Sequence, residues 1–266
     1  MEIIGFILAF VIGITLGLVG AGGSILTITV LVYILGIPPT MATTYSLFIV
    51  GITSLVGSID YFRKGLVDLQ KGLFFSFPAF IMVFLMRKFV MPHIPEVVFV
   101  YQSADFTVSK NLMVMLIFAL LMIGASYSMI KSDKKPSEQI GHKVSYWMIF
   151  LEGILVGILT GFVGAGGGFM IIPAMVVFAK LPMKKAVGTS LLIITINSAF
   201  GAIGDFSAGI ALDWYFLTKF AALTIAGILT GGYLSKKIDG DQLKPAFGWF
   251  VLVVGCWVII KELILR

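Results

Sequence analysis

The stretch GITLGLVGAGG, residues 13–23, decides the fold because the chain contains it twice, the second time as GILTGFVGAGG at residues 157–167. The offset of 144 residues continues without a gap as far as Gly65 and Gly209, and 21 of these 53 positions are identical. Glycines, a proline and serines are among the identities, and two unrelated apolar segments would rarely share such residues in register. The repeat therefore predicts two homologous halves.

The composition of the whole chain excludes a water-soluble protein. Of its 266 residues, 59% are hydrophobic and only 12% are charged, whereas soluble domains carry about 25% charged residues. The mean hydropathy is +1.07. The apolar residues form long runs, which indicate helices rather than the alternating strands of a membrane barrel. We therefore predict an all-α integral membrane protein, and we exclude a soluble enzyme, a disulfide-linked secreted domain and a disordered chain.

The charged residues and the single cysteine exclude further classes. The net charge is +6, but the chain has no basic patch with interleaved aromatic residues of the kind that binds nucleic acid. Cys256 is the one cysteine, so the sequence predicts neither a disulfide nor a dithiol site. We expect the lipid bilayer as a partner, no nucleic acid, no metal, no cofactor and no catalytic residue.

Ten apolar segments follow one another along the chain. In the first half they cover 3–19, 25–36, 41–59, 72–90 and 111–130, and in the second half 146–163, 169–179, 186–203, 214–234 and 245–262. The segments 25–36 and 169–179 are short, because a dozen helical residues span about 18 Å of a hydrocarbon core about 30 Å thick. We predict about 8–10 transmembrane segments, including these short broken helices.

These segments divide the chain into a first membrane repeat, residues 1–130, and a second membrane repeat, residues 146–266. Residues 131–145 between them, KSDKKPSEQIGHKVS, have the composition of a soluble loop, and we expect a cytoplasmic linker there. Residues 91–110 are longer than the corresponding connection of the second half, and we expect an inserted surface loop.

The positive charges indicate how the two halves are oriented. With five segments in each half and the N-terminus outside, 13 of the 19 Lys and Arg residues fall on the inner side. With four crossings in each half, the best division is ten against nine. The preference of cations for the cytoplasmic side therefore favours an inverted repeat. A hairpin that does not fully cross removes two crossings and leaves their number in each half odd. Three and five true crossings per half therefore both remain open.

The two glycine clusters are the first candidate for a binding site. Three or four glycines in succession unwind a helix, and the N–H groups at the start of the next half-helix suit an anion. Tight crossing of helices is the alternative explanation, but the paired occurrence in both halves favours a transporter's binding site. The candidate residues are Gly20, Gly22, Gly23, Ser24, Gly164, Gly166, Gly167 and Gly168.

The second candidate is a polar stripe on the helix that follows each short segment. Small and polar residues recur there at helical spacing, so they share one face and lie against protein. The candidate donors are Ser46 in the first half and Thr189, Ser190 and Asn197 in the second. Close packing by small residues is the alternative.

The charged residues near membrane depth complete the list of candidates. No Lys or Arg lies well inside a segment, so we expect backbone and hydroxyl donors to hold an anion. Asp60 and Asp205 lie near segment ends, where solvation is expected. Glu152 lies deeper and is a candidate proton carrier.

The motif G-x-x-x-G-x-x-G-x-G-G and a later A-x-x-T-S-L, both reused in the second half, resemble the TauE/SafE-type sulfite exporter family of prokaryotic membrane proteins. Residues 186–191 fit the later motif well, whereas at 42–47 Tyr45 replaces the usual small hydroxyl residue. The motif glycines are Gly13, Gly17, Gly20, Gly22 and Gly23, then Gly157, Gly161, Gly164, Gly166 and Gly167.

This resemblance implies a secondary transporter in the cytoplasmic membrane. Its expected substrates are small anions such as sulfite, sulfonates and related organic or sulfur oxyanions, with export as the expected direction. An uncoupled anion permease or channel of the same fold is the alternative. The coupling ion, proton or sodium, stays open, as does assembly into a homo-oligomer. A membrane enzyme is not expected, because no paired His, Cys dyad or Ser–His constellation lies within the segments.

Overall fold

The protein is an assembly of long helices with one small hairpin, seen here in a computed structural model. The structure describes residues 2–20, 22–101, 106–130, 146–164, 167–210, 212–235 and 240–263, so the linker predicted at 131–145 lies outside the described residues. Ten helices of ten or more residues lie in these ranges, five before the linker and five after it. They are α1 (Glu2–Val19), α2 (Gly22–Tyr33), α3 (Pro39–Arg63), α4 (Leu69–Leu85), α5 (Lys110–Ile130), α6 (Tyr146–Val163), α7 (Gly168–Val177), α8 (Met183–Ser207), α9 (Trp214–Leu234) and α10 (Gly240–Leu263).

The helices confirm the prediction of an all-α membrane protein. Within the described part of the chain, six stretches are long and apolar enough to cross a bilayer: Pro39–Arg63, Leu69–His93, Lys110–Tyr127, Tyr146–Val163, Met183–Ser207 and Trp214–Leu234. Two further apolar helices, Ile4–Val19 and Gly23–Tyr33, are shorter. The ten predicted apolar segments coincide with the ten helices.

The connection after α4 differs from the plain loop that we expected. The helix continues through a π-helical turn, Met86–Val90, and a last turn, Met91–His93. An antiparallel hairpin follows, in which β1 (Val97–Tyr101) pairs with β2 (Phe106–Ser109). Consecutive β-branched and aromatic residues fit a pleated strand better than a helix, and this explains why the insertion is ordered as a hairpin.

The helices α3 and α8, which are equivalent in the two repeats, lie against each other and are the most buried of the six long apolar stretches. Each contact between them joins a later residue of one helix to an earlier residue of the other, so the two helices run antiparallel. The contacts join Gly57 to Leu191, Ser54 to Thr195, Gly51 to Ser198 and Leu47 to Gly201.

Most of the remaining helices also find their main partner in the other half of the chain. Helix α1 packs along α9, and the equivalent helix α6 packs along α4. Helix α9 also packs on α3, as α4 does on α8, and α5 packs on α10. If each helix is replaced by the equivalent helix of the other half, the same set of pairs results. The core is therefore built from both repeats together.

The contact between α1 and α9 is a close approach of two backbones. A Cβ atom on Gly13 would lie 2.8 Å from the Cα atom of Gly227, and one on Gly17 would lie 2.8 Å from the backbone nitrogen of Gly232. Real Cβ atoms do not approach backbone atoms so closely. Glycine is therefore required here for packing, as it is where helices cross closely in membranes.

This contact gives a test of the fold. We expect Gly13→Ala to lower the free energy of unfolding by about 1–3 kcal/mol, because the added methyl group forces two packed backbones apart. The matched control is Gly124→Ala on α5, where an added Cβ meets nothing within 4 Å among the described residues. The midpoint of thermal unfolding in detergent should fall for Gly13→Ala only. Equal midpoints for the two variants would contradict the close contact.

Candidate functional site

The first glycine turn joins α1 to α2 and lies against α8. Gly20 has a φ of 77°, in the left-handed region that favours glycine. Its N–H donates to the carbonyl of Leu16 at 2.8 Å and ends α1. A Cβ on Gly20 would lie 2.7 Å from the Cγ1 atom of Val187 and 3.2 Å from the Oγ atom of Ser190. This turn therefore brings together two predicted site residues, Gly20 and Ser190.

The second glycine turn joins α6 to α7 and lies against α3 and α4. Gly164 has the same φ of 77°, and Gly167, with a φ of 68°, precedes the first turn of α7. A Cβ on Gly164 would overlap the guanidinium group of Arg87 and the side chain of Thr43. Only glycine allows the backbone to approach a charged group in this way. Gly166, also predicted at this site, lies outside the described residues.

The two glycine turns lie at opposite ends of the α3–α8 pair. Gly20 lies near the start of α8 and Gly164 near the start of α3, and these helices are antiparallel. The rise of a helix then separates the two turns by roughly 28 Å along the pair. The structure therefore does not bring the two glycine clusters into one group of residues.

Arg87 and Asp205 form a buried ion pair beside the second turn. Nη1 of Arg87 lies 3.1 Å from Oδ2 of Asp205, and both side chains are only 2% exposed. The same Nη1 donates to Oγ1 of Thr43 at 3.1 Å. The hydroxyl of Thr43 in turn donates to the carbonyl of Thr40 at 2.7 Å, which directs its lone pair towards Arg87.

Two expectations about charge are therefore wrong. We expected no cation well inside a segment, but α4 continues to His93 through the π-helical turn, and this encloses Arg87. We expected Asp205 to be solvated, but it lies on the face of α8 that packs against α4. Asp60 behaves as expected, since it stays partly exposed and pairs with Lys64. The signal in the sequence is that Arg87 and Asp205 each lie near the end of a long apolar segment, where two opposite charges can pair if the helices are neighbours.

The second turn also gathers buried polar atoms that have no hydrogen-bond partner among the described residues. Two of them are Nε and Nη2 of Arg87, and another is the Oγ1 atom of Thr160 on α6. The Oγ atom of Ser46, also without such a partner, lies one helical turn from Thr43 on α3. Leaving buried donors unpaired costs free energy, more so when the donor is charged. The guanidinium edge that carries Nε and Nη2 matches two oxygen atoms of an oxyanion.

The first turn lacks this charged group, although the repeat places equivalent backbone there. Val187 occupies the position of Thr43, and Tyr61 that of Asp205. Asp68 and Asp213 are the N-cap residues of the equivalent helices α4 and α9. When both helices are numbered from these caps, Gly232 occupies the position of Arg87. The hydroxyl of Tyr61 donates to the carbonyl of Gly17 at 3.1 Å. Within the described ranges, the buried ion pair thus has no counterpart at the first turn.

Asn197 lies about halfway along α8, between the two turns. It is fully buried, and neither its Nδ2 nor its Oδ1 atom has a hydrogen-bond partner among the described residues. The equivalent residue of α3, Thr53, is paired with Thr224 at 2.7 Å. Asn197 and Asp205 share one face of α8, about 12 Å apart along the helix. The helix therefore carries a line of polar groups from Ser190 past Asn197 to Asp205.

The other predicted site residues have structural contacts. Thr189 accepts a hydrogen bond from the backbone N–H of Asp68 at 2.9 Å and so holds the start of α4. Gly22 begins α2 and Gly168 begins α7. Gly23 packs against Ile12 and Leu16 of α1, and the neighbouring Ser24 is fully buried.

Glu152, the candidate proton carrier, lies far from the ion pair. Its Oε2 atom is buried without a hydrogen-bond partner among the described residues. Its neighbour Gly153 packs against Phe75 and Pro78 of α4, whereas Arg87 lies in the π-helical turn that continues that helix after Leu85.

Comparison with known proteins agrees with the membrane fold. The family model described as "Sulfite exporter TauE/SafE" matches residues 5–262. The chain belongs to the TauE/SafE sulfite exporter family. This confirms the resemblance seen in the glycine motifs, and no solved structure matches the chain at a significant level.

Curated relatives of this TauE/SafE protein carry transporter names. A "Probable membrane transporter protein" of Xylella fastidiosa (strain Temecula1 / ATCC 700964) is 27% identical over 93% of this chain and 91% of its own length. The "Probable membrane transporter protein YunE" of Bacillus subtilis (strain 168) is 24% identical over 96% of this chain and 97% of its own. "Probable membrane transporter protein MJ0441" of Methanocaldococcus jannaschii is 30% identical over 96% of this chain and 94% of its own length. The chain is therefore a multi-pass membrane transporter, as predicted.

The buried ion pair predicts a specific pattern of stabilities. Arg87→Met should lower the free energy of unfolding by about 3–5 kcal/mol, because it leaves the carboxylate of Asp205 buried and unpaired. The double variant Arg87→Met/Asp205→Leu should recover most of this loss, since it removes both charges. Thermal unfolding in detergent, without added anion, measures both effects.

The partly exposed pair of Lys64 and Asp60 provides the control. Lys64→Met should change the free energy of unfolding by less than about 1 kcal/mol, because water screens that pair. A double variant less stable than Arg87→Met alone would show that the charges are not coupled as described.

Proposed function

We propose that this TauE/SafE protein is a secondary transporter of small oxyanions, of the sulfite and sulfonate class, and that it exports them across the cytoplasmic membrane. Transport rather than enzymatic catalysis is the function assigned. The observation that carries the proposal is the guanidinium edge of Arg87, which is buried, unpartnered among the described residues and adjacent to the Gly164 turn.

The chemistry of this edge favours an oxyanion over a simple anion. The N–H groups of Nε and Nη2 point in nearly parallel directions, so two oxygens of one sulfite, sulfonate or carboxylate group can accept from them together. Two buried hydroxyl groups without a described partner, those of Ser46 and Thr160, lie one helical turn from Thr43 and from Gly164 and are candidate donors to a third oxygen. A sulfur oxyanion offers three oxygens, whereas a carboxylate offers two. The family description adds support for the sulfur class.

The inverted repeat is part of the proposal because it provides a route to alternating access. The antiparallel contact of α3 with α8 supports it, since equivalent helices that cross a bilayer antiparallel begin on opposite sides. The distribution of the positive charges supports it independently. The Gly20 turn then lies towards the cytoplasm, and the Gly164 turn lies towards the outside.

The polar line along α8 connects these two ends. Ser190 lies beside the Gly20 turn, Asn197 at mid-helix, and Asp205 beside the Gly164 turn. An anion that leaves Arg87 meets the unpaired amide of Asn197 next, about 12 Å away. Asn197 therefore remains a candidate substrate ligand, at an intermediate position.

A substitution that keeps the charge of Arg87 tests the anion site. Arg87→Lys retains a cation beside Asp205 but lacks the paired N–H groups, so sulfite and methanesulfonate should bind roughly tenfold to a hundredfold more weakly. Arg63→Lys, at the exposed end of α3, is the matched control and should bind as the unsubstituted protein does. Calorimetric titration of folded, monodisperse protein measures the affinities, and uptake into proteoliposomes measures flux.

The outcome separates the proposed transporter from its alternatives. Unchanged affinity in Arg87→Lys would remove Arg87 from the site. Flux that saturates poorly and ignores pH and sodium gradients would identify an uncoupled permease. Preference for carboxylates over sulfur oxyanions would correct the substrate class.

Labelling of equivalent positions tests the inverted repeat. Arg63 and Ser207 are the last residues of α3 and α8, and both are exposed. In a Cys256→Ser background, Ser207→Cys should react with a membrane-impermeant thiol reagent in intact cells. Arg63→Cys should react only after permeabilisation. Reaction of both from the same side would indicate two parallel halves.

A further inference from the structure

The ion pair at the Gly164 turn has a consequence for coupling that rests on the proposed function. We propose that Asp205 takes up a proton when an anion binds Arg87, so that the anion and one proton are carried together. In the structure, the carboxylate of Asp205 is already paired with Arg87. A bound anion would be a second negative group on the same cation.

The charges of the site require a compensating proton. Arg87 and Asp205 together are neutral, and both are almost completely buried. A monovalent anion on Nε and Nη2 brings the site to a net charge of −1 beside two side chains that are only 2% exposed. An uncompensated buried charge is strongly unfavourable. Protonation of Asp205 restores neutrality.

In the part of the chain that the structure describes, the elements around Asp205 offer no other charge that could do this. Among the described residues around Asp205, α4 presents Arg87, whereas α3 presents Thr43 and the α6–α7 connection presents Gly164. The adjacent cation of α4, Lys88, has its Nζ atom 5.4 Å above the rings of Phe84 and Phe89. It therefore faces the aromatic side chains of its own helix.

The hydrogen-bond geometry can accept the proton. In the structure, Oδ2 of Asp205 accepts from Nη1 of Arg87. A protonated carboxyl group keeps one carbonyl oxygen for this bond and gains an O–H donor that can turn to an oxygen of the bound anion. The proton enters from water on one side as an O–H bond forms on Asp205. It leaves to water on the other side when the anion departs.

Carrying a proton fixes the charge that moves in each cycle. A monovalent sulfonate with one proton moves no net charge, so its flux follows the pH gradient and its own gradient. A divalent anion with one proton moves one negative charge, which an inside-negative membrane potential drives outward. Sulfite exists in both forms near neutral pH. The same site then carries the divalent form outward with net movement of charge, and it carries the monovalent form together with its proton without net movement of charge.

Calorimetry with methanesulfonate tests the proposal, because the charge of this anion does not change with pH. Titrations of the detergent-solubilised protein in two buffers of different ionisation enthalpy count the protons taken up for each anion bound. We expect about one proton per anion, and an affinity that falls about tenfold per pH unit on the alkaline side. Asp205→Asn should bind without proton uptake and with an affinity independent of pH. Asp60→Asn, in an exposed pair away from the site, should behave as the unsubstituted protein does.

The possible results distinguish this inference from the proposed function. Absence of methanesulfonate and sulfite binding to the unsubstituted protein would overturn the proposed function itself. Binding without proton uptake, or an unchanged pH dependence in Asp205→Asn, would overturn only the coupling. If Asp205→Asn does not fold, the proton count of the unsubstituted protein still decides. In proteoliposomes a pH gradient should drive methanesulfonate accumulation, and accumulation driven by a sodium gradient instead would also overturn the coupling.

Discussion

The antiparallel contact between α3 and α8 is the interaction on which the rest of the structure depends. These two helices are the most buried of the long apolar stretches, and each glycine turn lies against the first residues of one of them. Their antiparallel direction places the Gly20 and Gly164 turns at opposite ends of the molecule. It also lets the polar face of α8 run from one turn to the other. The small residues at the contact, Gly51 and Gly201 among them, allow this close approach.

The two ends share a backbone plan but differ in chemistry. At one end the hydroxyl of Tyr61 donates to the carbonyl of Gly17. At the other end the equivalent position carries Asp205, which holds a buried arginine. A buried ion pair is weak evidence for stability, since an apolar pair of similar volume often packs as well. Among the described residues the buried pair has no counterpart at the other end, and part of the guanidinium lacks a partner, which supports a role in binding.

The sequence predicted the helices well because each one is a long apolar run bounded by charge, glycine or proline. It predicted the two turns because glycines in register are rare by chance. It did not predict that the turns lie far apart, since that depends on which helices pair across the repeat. It also missed the Arg87–Asp205 pair, because a charge near the end of an apolar run is solvated in most proteins. Only the π-helical continuation of α4 places Arg87 inside.

The exchange of partners between the repeats determines the order in which the chain can reach its native state. Helix α1 needs α9, and α4 needs α6, so the first half has no native neighbour for these glycine and alanine faces while it is being synthesised. Those faces have no native partner until the second half is made. Assembly is therefore governed by contacts of long sequence separation, and a chain truncated after α5 would lack its core.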